Sequence, residues 1–116
     1  MNKALRDRDY LEHIEAAIGK IQRFLQDKDE ARFMDDDLLQ DAVIRNLEII
    51  GEGVIKLSAE LRARHSEVPW RDIAGMRNRL IHGYMNVNLQ IVWDTVVQVL
   101  PDFLPKVKDI LSELNP

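Results

Sequence analysis

No cysteine occurs among the 116 residues, so disulfide bridges, thiolate nucleophiles and cysteine-built zinc sites are all excluded. The same absence fits a reducing compartment. Glycine and proline are scarce, with five and four residues that stand mostly at segment edges, which leaves little material for an all-β fold or a disordered tail. No apolar run approaches the ~18 residues that a membrane-spanning helix needs. The opening Met1-Asn2-Lys3-Ala4-Leu5-Arg6-Asp7 lacks the apolar core of a signal peptide, so a soluble, cytoplasmic chain without membrane contact is expected. Positive charge is also in deficit: a formal net charge of −4 argues against a protein that coats nucleic acid through a broadly basic surface.

What charge there is has an uneven distribution. From Arg62 to Tyr84, Arg62, Arg64, Arg71, Arg77 and Arg79 face only Glu67 and Asp72, while Asp27 to Asp41 holds seven acids against Lys28 and Arg32. A small basic site on an acidic body suits focused recognition of a short anionic group, with the acidic face repelling bulk polyanion or meeting a basic partner. Taken alone, the acidic run also reads as an ordinary solvated surface.

Length and apolar periodicity define one all-α domain spanning residues 1–116, an antiparallel bundle of four to five helices. Tyr10, Leu11, Ile14, Ala17, Ile18, Ile21, Phe24 and Leu25 recur at three- and four-residue steps, predicting a first helix from about Asp7 to Gln26. The period is lost from Asp27 to Met34, with a short helical piece expected around Glu30 to Phe33. Asp35 to Asp37 supply an N-cap and first-turn carboxylates for a long second helix, whose seam Leu39, Val43, Leu47, Ile50, Val54, Leu57 and Leu61 runs to about Arg64. Leu38, Ala42, Ile44, Ile49 and Ile55 widen its apolar arc beyond one seam, so a second neighbour is expected, either within the chain or in a second subunit. Gly51 and Gly53 inside this helix point to close helix approach. Pro69 opens a third helix anchored by Trp70 and Ile73 and ending near Gly83. Asn88 caps a fourth, which Pro101 should kink or interrupt before a last helical piece bearing Phe103, Val107 and Ile110.

The third helix carries Met76-Arg77-Asn78-Arg79-Leu80-Ile81-His82-Gly83-Tyr84. Arg77 holds a permanent charge and can fork two donors onto a phosphate, and His82 can exchange protons near neutrality. Asn78, one helical turn from His82, is expected to hydrogen-bond the imidazole and fix its tautomer. Such residues at a helix end also serve as plain capping groups. On a regular helix Arg77 and His82 diverge by ~140°, and the helix end is what would let them converge. One chain supplies a single well-placed histidine, whereas cleavage of RNA through the 2′-hydroxyl needs a base, an acid and positive charge on the phosphorane. A symmetric homodimer would supply two copies of each. No paired carboxylates or histidine clusters with metal-ligand spacing accompany them, so no metal and no cofactor is expected.

Arg77-Asn78, His82 and Tyr84 spell Arg-Asn-x-x-x-His-x-Tyr. With Asp41 to Gly51 upstream, Pro69 to Met76 leading in and Val92-Trp93 after, the chain resembles the HepT-like branch of the HEPN superfamily over nearly its whole length. The resemblance implies a small helical toxin that dimerises and cleaves RNA, with Arg77 and His82 as catalytic pair and Asn78 as supporting residue. It also implies a partner, an MntA-type nucleotidyltransferase antitoxin that adds AMP to Tyr84. Two other readings stay open: a non-catalytic helical subunit that holds nucleotide or substrate for an adjacent nucleotidyltransferase, and a purely structural dimerising bundle.

Overall fold

The computed structural model describes the backbone of residues 3–82 and 86–114, with side chains for all of these except residues 4, 77, 80–82 and 86. Apart from turns and one two-residue ladder, the described chain is helical, as the apolar periodicity requires. Two long helices form the frame, α1 (Lys3–Phe24) and α3 (Asp37–Lys56). Between them α2 (Glu30–Met34) is capped by Asp29, whose carboxylate accepts from the Arg32 amide at 2.9 Å. Asp36 does the same for α3 through the Leu39 amide at 3.0 Å, which is the cap expected there. Asp27, where the period breaks, takes a left-handed φ of 62°, a conformation that Asp tolerates better than most side chains.

α1 and α3 pack antiparallel. Leu11, Ile14, Ile18 and Ile21 are fully buried against a core that includes Val43, Leu47, Ile50 and Val54 of α3. Each such side chain contributes roughly 1.5–3 kcal/mol of transfer free energy, so this seam alone outweighs any single polar contact in the molecule. Gly53 is what lets the two backbones close up, since a Cβ there would lie 2.8 Å from Ile14 Cγ1. A Cβ at Gly51 would lie 3.7 and 3.8 Å from the Ala74 and Ile73 carbonyl oxygens, which is ordinary contact.

The second helix does not run on to Arg64. It stops at Lys56, with Leu57 in an extended conformation, and Ser58 caps a separate helix α4 (Ala59–Arg64). The cause lies 51 residues away. The buried carboxylate of Asp7 accepts from the Ser58 amide at 2.8 Å and from its hydroxyl at 2.7 Å, turning the chain at that point. The apolar seam survives the break, because Leu57 and Leu61 are both buried.

The last pass begins at α7 (Leu89–Asp94), capped by Asn88 through the Ile91 amide at 3.1 Å. It passes through a π-helical stretch at Thr95–Val99 and continues as α8 (Leu100–Leu114). Pro101 therefore interrupts the α-helical pattern without ending the helix. The wider turn is marked by the Leu100 amide, which donates to the Thr95 carbonyl, five residues back instead of four, while the Thr95 hydroxyl bonds the Ile91 carbonyl at 2.7 Å. Phe103, Val107, Ile110 and Leu111 of α8 complete the core.

Candidate active site

The motif arm starts at α5 (Trp70–Ala74), with Pro69 at its N-cap. Trp70 fixes this helix by two means. Its ring meets Phe103 edge-on with centroids 6.0 Å apart, and its indole N–H donates to the His65 carbonyl at 2.9 Å. Ile73 is buried beside it. Gly75 then ends α5, and a Cβ there would crowd the Arg71 carbonyl oxygen at 3.2 Å, so the tight join between helices favours glycine.

A new helix, α6 (Met76–Leu80), starts at once. Met76 seats it in the core at 1% exposure, and the Gly75 carbonyl accepts from the Asn78 and Arg79 amides at 3.1 and 3.3 Å. Ile81–His82 (β1) leaves the helix as an extended strand, paired antiparallel with Asn86–Val87 (β2), with Ile81 opposite Val87 and His82 opposite Asn86.

The expected third helix from Pro69 to His82 is thus corrected on two points. It is two five-residue helices joined at Gly75, and it ends at Leu80, so His82 stands on a strand rather than at a helix C-terminus. Angular relations drawn from a continuous helix do not hold: Arg77 and His82 are not ~140° apart about one axis, and Asn78 is not one helical turn below His82. A strand advances ~3.3 Å per residue against 1.5 Å for a helix, so the chain carries His82 further from α6 than helical spacing would. Arg77 is the second residue of α6, and Asn78 beside it is exposed. Tyr84 and Gly83 lie outside the described residues.

Arg79, counted from sequence only as part of a basic cluster, has a structural task. Its guanidinium Nη2 donates to the Asp72 carbonyl at 2.9 Å, so a cation sits on a backbone acceptor of α5 and ties the two short helices together. Because Asp72 and Arg79 lie on different helices, the bond depends on the join at Gly75, and helical spacing did not signal it. Among the described residues no group of three or more His, Asp or Glu side chains could hold a metal ion.

Residues 14–110 match the family model described as ribonuclease HepT-like. The chain belongs to the HepT-like ribonuclease family. The matched span includes the whole motif arm and its ladder. A protein of Caldanaerobacter subterraneus subsp. tengcongensis named "Putative RNase" is 42% identical over 106 residues, covering 91% of this chain and 95% of its own length. One of Thermococcus cleftensis named "Probable ribonuclease HepT" is 40% identical over 99 residues, covering 85% and 90%. A longer Methanocaldococcus jannaschii protein, named "Gamma-glutamylcyclotransferase and putative RNase", is 39% identical over 106 residues, 91% of this chain but 48% of that one. No solved structure matches the chain significantly. Family membership makes this HepT-like chain a ribonuclease of the HEPN superfamily, and no helix among its described residues is long and apolar enough to cross a membrane.

Proposed function

We propose that this HepT-like chain is a metal-independent RNA endonuclease, the toxin of a toxin–antitoxin pair, acting as a homodimer with Arg77 and His82 of both subunits in one cleft. The observation that carries the proposal is the sequence motif Arg77-x4-His82-x-Tyr84, with Arg77 on α6 and His82 on β1, in a chain of this family. In the reaction, one His82 takes the proton of a ribose 2′-hydroxyl, whose oxygen attacks the adjacent phosphorus. The bond to the 5′-oxygen breaks, and that oxygen takes a proton from the second His82. The products are a 2′,3′-cyclic phosphate and a 5′-hydroxyl end. Arg77 offsets the charge that builds on the equatorial oxygens. Asn78 supports the site as a polar neighbour of Arg77.

Dimerisation is supported by apolar surface that one chain leaves uncovered. Leu38 and Ile55, at opposite ends of α3, are 81% and 60% exposed, and Ile44 and Ile49 between them are only partly buried. Neutralisation would come from an MntA-type nucleotidyltransferase that adds AMP to the Tyr84 hydroxyl, placing a phosphodiester beside the charges that hold RNA phosphate.

Cleavage of RNA should persist in EDTA and fail with Arg77→Ala or His82→Ala. A mixed dimer of the two variants holds one His82 and one Arg77 and should stay inactive if the cleft needs the His82 of both subunits. Undiminished cleavage by both variants would refute the site, and loss in EDTA would refute the metal-free reaction. Intact mass after incubation with the nucleotidyltransferase, ATP and Mg²⁺ should rise by AMP units on wild type and not on Tyr84→Phe.

A further inference from the structure

Away from the motif, a pocket of about 400 Å³ opens between the start of α1 and the join of α3 to α4, lined by Lys3, Arg6, Asp7, Tyr10, Lys56, Ser58 and Ala59. Its charge sets it apart. Three cations line it against one carboxylate, and that carboxylate is spent: Asp7 is 4% exposed, and both its oxygens accept from Ser58. Three other hollows on the described surface carry no such excess. One has Asp27, Asp29 and Asp35 against Lys28 and Arg32, another Glu12 and Glu15 against Lys108, and a third Asp102 against Lys106. On a chain of net charge −4, the first hollow is a local reversal of sign.

Ordinary helix electrostatics explains part of this reversal and leaves the rest. Lys56 is in the last turn of α3, where a cation is favoured by the helix dipole. Lys3 and Arg6 fall in the first described turn of α1, which holds no acid, so they oppose the dipole of their own helix. Lys3 is bonded to Glu60 at 2.7 Å through an exposed contact, and Lys56 lies over the Tyr10 ring with its Nζ 5.9 Å from the centroid. The hollow thus combines a guanidinium, two ammonium groups and an aromatic wall. This is the chemistry of a phosphate on a nucleotide strand.

We propose that this hollow binds a backbone phosphate of an RNA strand, several nucleotides away from the bond addressed by Arg77 and His82. The choice of RNA as ligand rests on the RNA-cleaving function proposed above. The placement favours a second contact over an extension of the first. The motif arm meets α3 at Gly51, more than a helical turn before Lys56, and the chain after it has moved toward the opposite end, where Gln90 donates to Glu30 at 2.8 Å. A strand seated at both places would run along α3.

The test uses full-length protein with His82→Ala to prevent cleavage, a fluorescent single-stranded RNA of ~12 nucleotides, and anisotropy titrations over a range of salt. Adding Arg6→Gln with Lys56→Gln should weaken binding about tenfold and reduce the magnitude of the log–log salt slope by about 0.7, the value of one phosphate contact. A control pair on other faces, Lys20→Gln with Lys108→Gln, changes net charge equally and should stay within twofold. Equal losses in both pairs, or none in the first, would overturn the proposal. So would saturable binding of inorganic phosphate or AMP at the hollow with RNA affinity unmoved, which would assign it to a free anion. In cleavage-competent protein the Arg6/Lys56 pair should raise KM for long RNA and leave kcat unchanged. RNA binding with the stated salt loss but no cleavage by wild type would retain the hollow while refuting the nuclease.

Discussion

Along α1 and α3, 22 and 20 residues of unbroken helix bury one side chain after another in a shared seam. Between Trp70 and Val87, by contrast, no described element exceeds five residues. Helices of one turn and ladders of two pairs do not stand alone, since nucleation costs more than so few hydrogen bonds return. The motif arm is therefore held by a few anchors, namely Trp70, Ile73 and Met76 in the core and the Arg79 bond to Asp72. Stability resides in the seam, the proposed function puts the chemistry on the arm, and on that reading the two should separate under mutation.

The sharpest separation should come from paired truncations. Leu47→Ala, in the middle of the seam, should cost about 2–5 kcal/mol in chemical denaturation while cleavage per folded molecule stays near wild type. His82→Ala and Arg77→Ala should leave the denaturation midpoint near wild type and lower cleavage by on the order of 10²-fold or more. A variant of the arm that unfolds the whole protein, or a seam variant that abolishes turnover while folded, would break the comparison.

The two glycines of α3 test how tightly the regions are joined. Gly53→Ala must push against Ile14 at 2.8 Å and should destabilise by about 1–3 kcal/mol. Gly51→Ala, facing the arm at 3.7 Å, has room for its methyl and should be neutral or gain up to ~1 kcal/mol in helix propensity. Thermal melts of the pair should therefore shift in opposite directions, or only at Gly53. On the arm itself, Trp70→Phe keeps an aromatic ring against Phe103 but removes the indole N–H, leaving the His65 carbonyl with the Val68 amide as its remaining donor, a loss of about 1 kcal/mol.

Much of this contrast was legible in the sequence, and the illegible parts share a cause. The seam from Leu39 to Leu61, the Asp36 and Asn88 caps and the short helix after Asp29 follow from spacing and cap chemistry, which act over a few residues. The break at Ser58 does not, because its cause is Asp7, 51 residues away. Likewise Ile81–His82 becomes a strand by pairing with Asn86–Val87, a contact that helical periodicity cannot anticipate. The gathering of Lys3, Arg6 and Lys56 around one hollow depends on the antiparallel registry of α1 and α3. Arg77, Asn78, His82 and Tyr84 are proposed from chemical type and motif, which do not depend on the helix boundary that was misplaced.

The smallest expected effect lies at the edge of that hollow. The Lys3 ammonium, through a hydrogen bond and then its charge, holds the Glu60 carboxyl below its ordinary value of 4.5, with a lesser contribution from Arg64. A carboxylate favoured in the folded state adds stability above its unfolded pKa and loses it as pH falls through the lowered folded value. Because Glu60 is fully exposed, the melts of wild type and Glu60→Gln should differ slightly near neutrality and converge in acid. A difference that grows toward low pH would contradict the pairing with Lys3.

The π-helical stretch at Thr95–Val99 leaves the final helix out of phase with the one before it. One residue of an α-helix turns the chain by ~100°, so the extra residue in this stretch decides which side of α8 looks inward. A single-residue deletion between Thr95 and Leu100 would let the Leu100 amide find its acceptor four residues back and restore a regular spiral. It would also rotate Val107 and Ile110 out of the core beside α1 and Phe103 away from Trp70. The irregular turn acts as a setting for the rest of the helix, and the protein should tolerate many changes of residue there but not a change in their number.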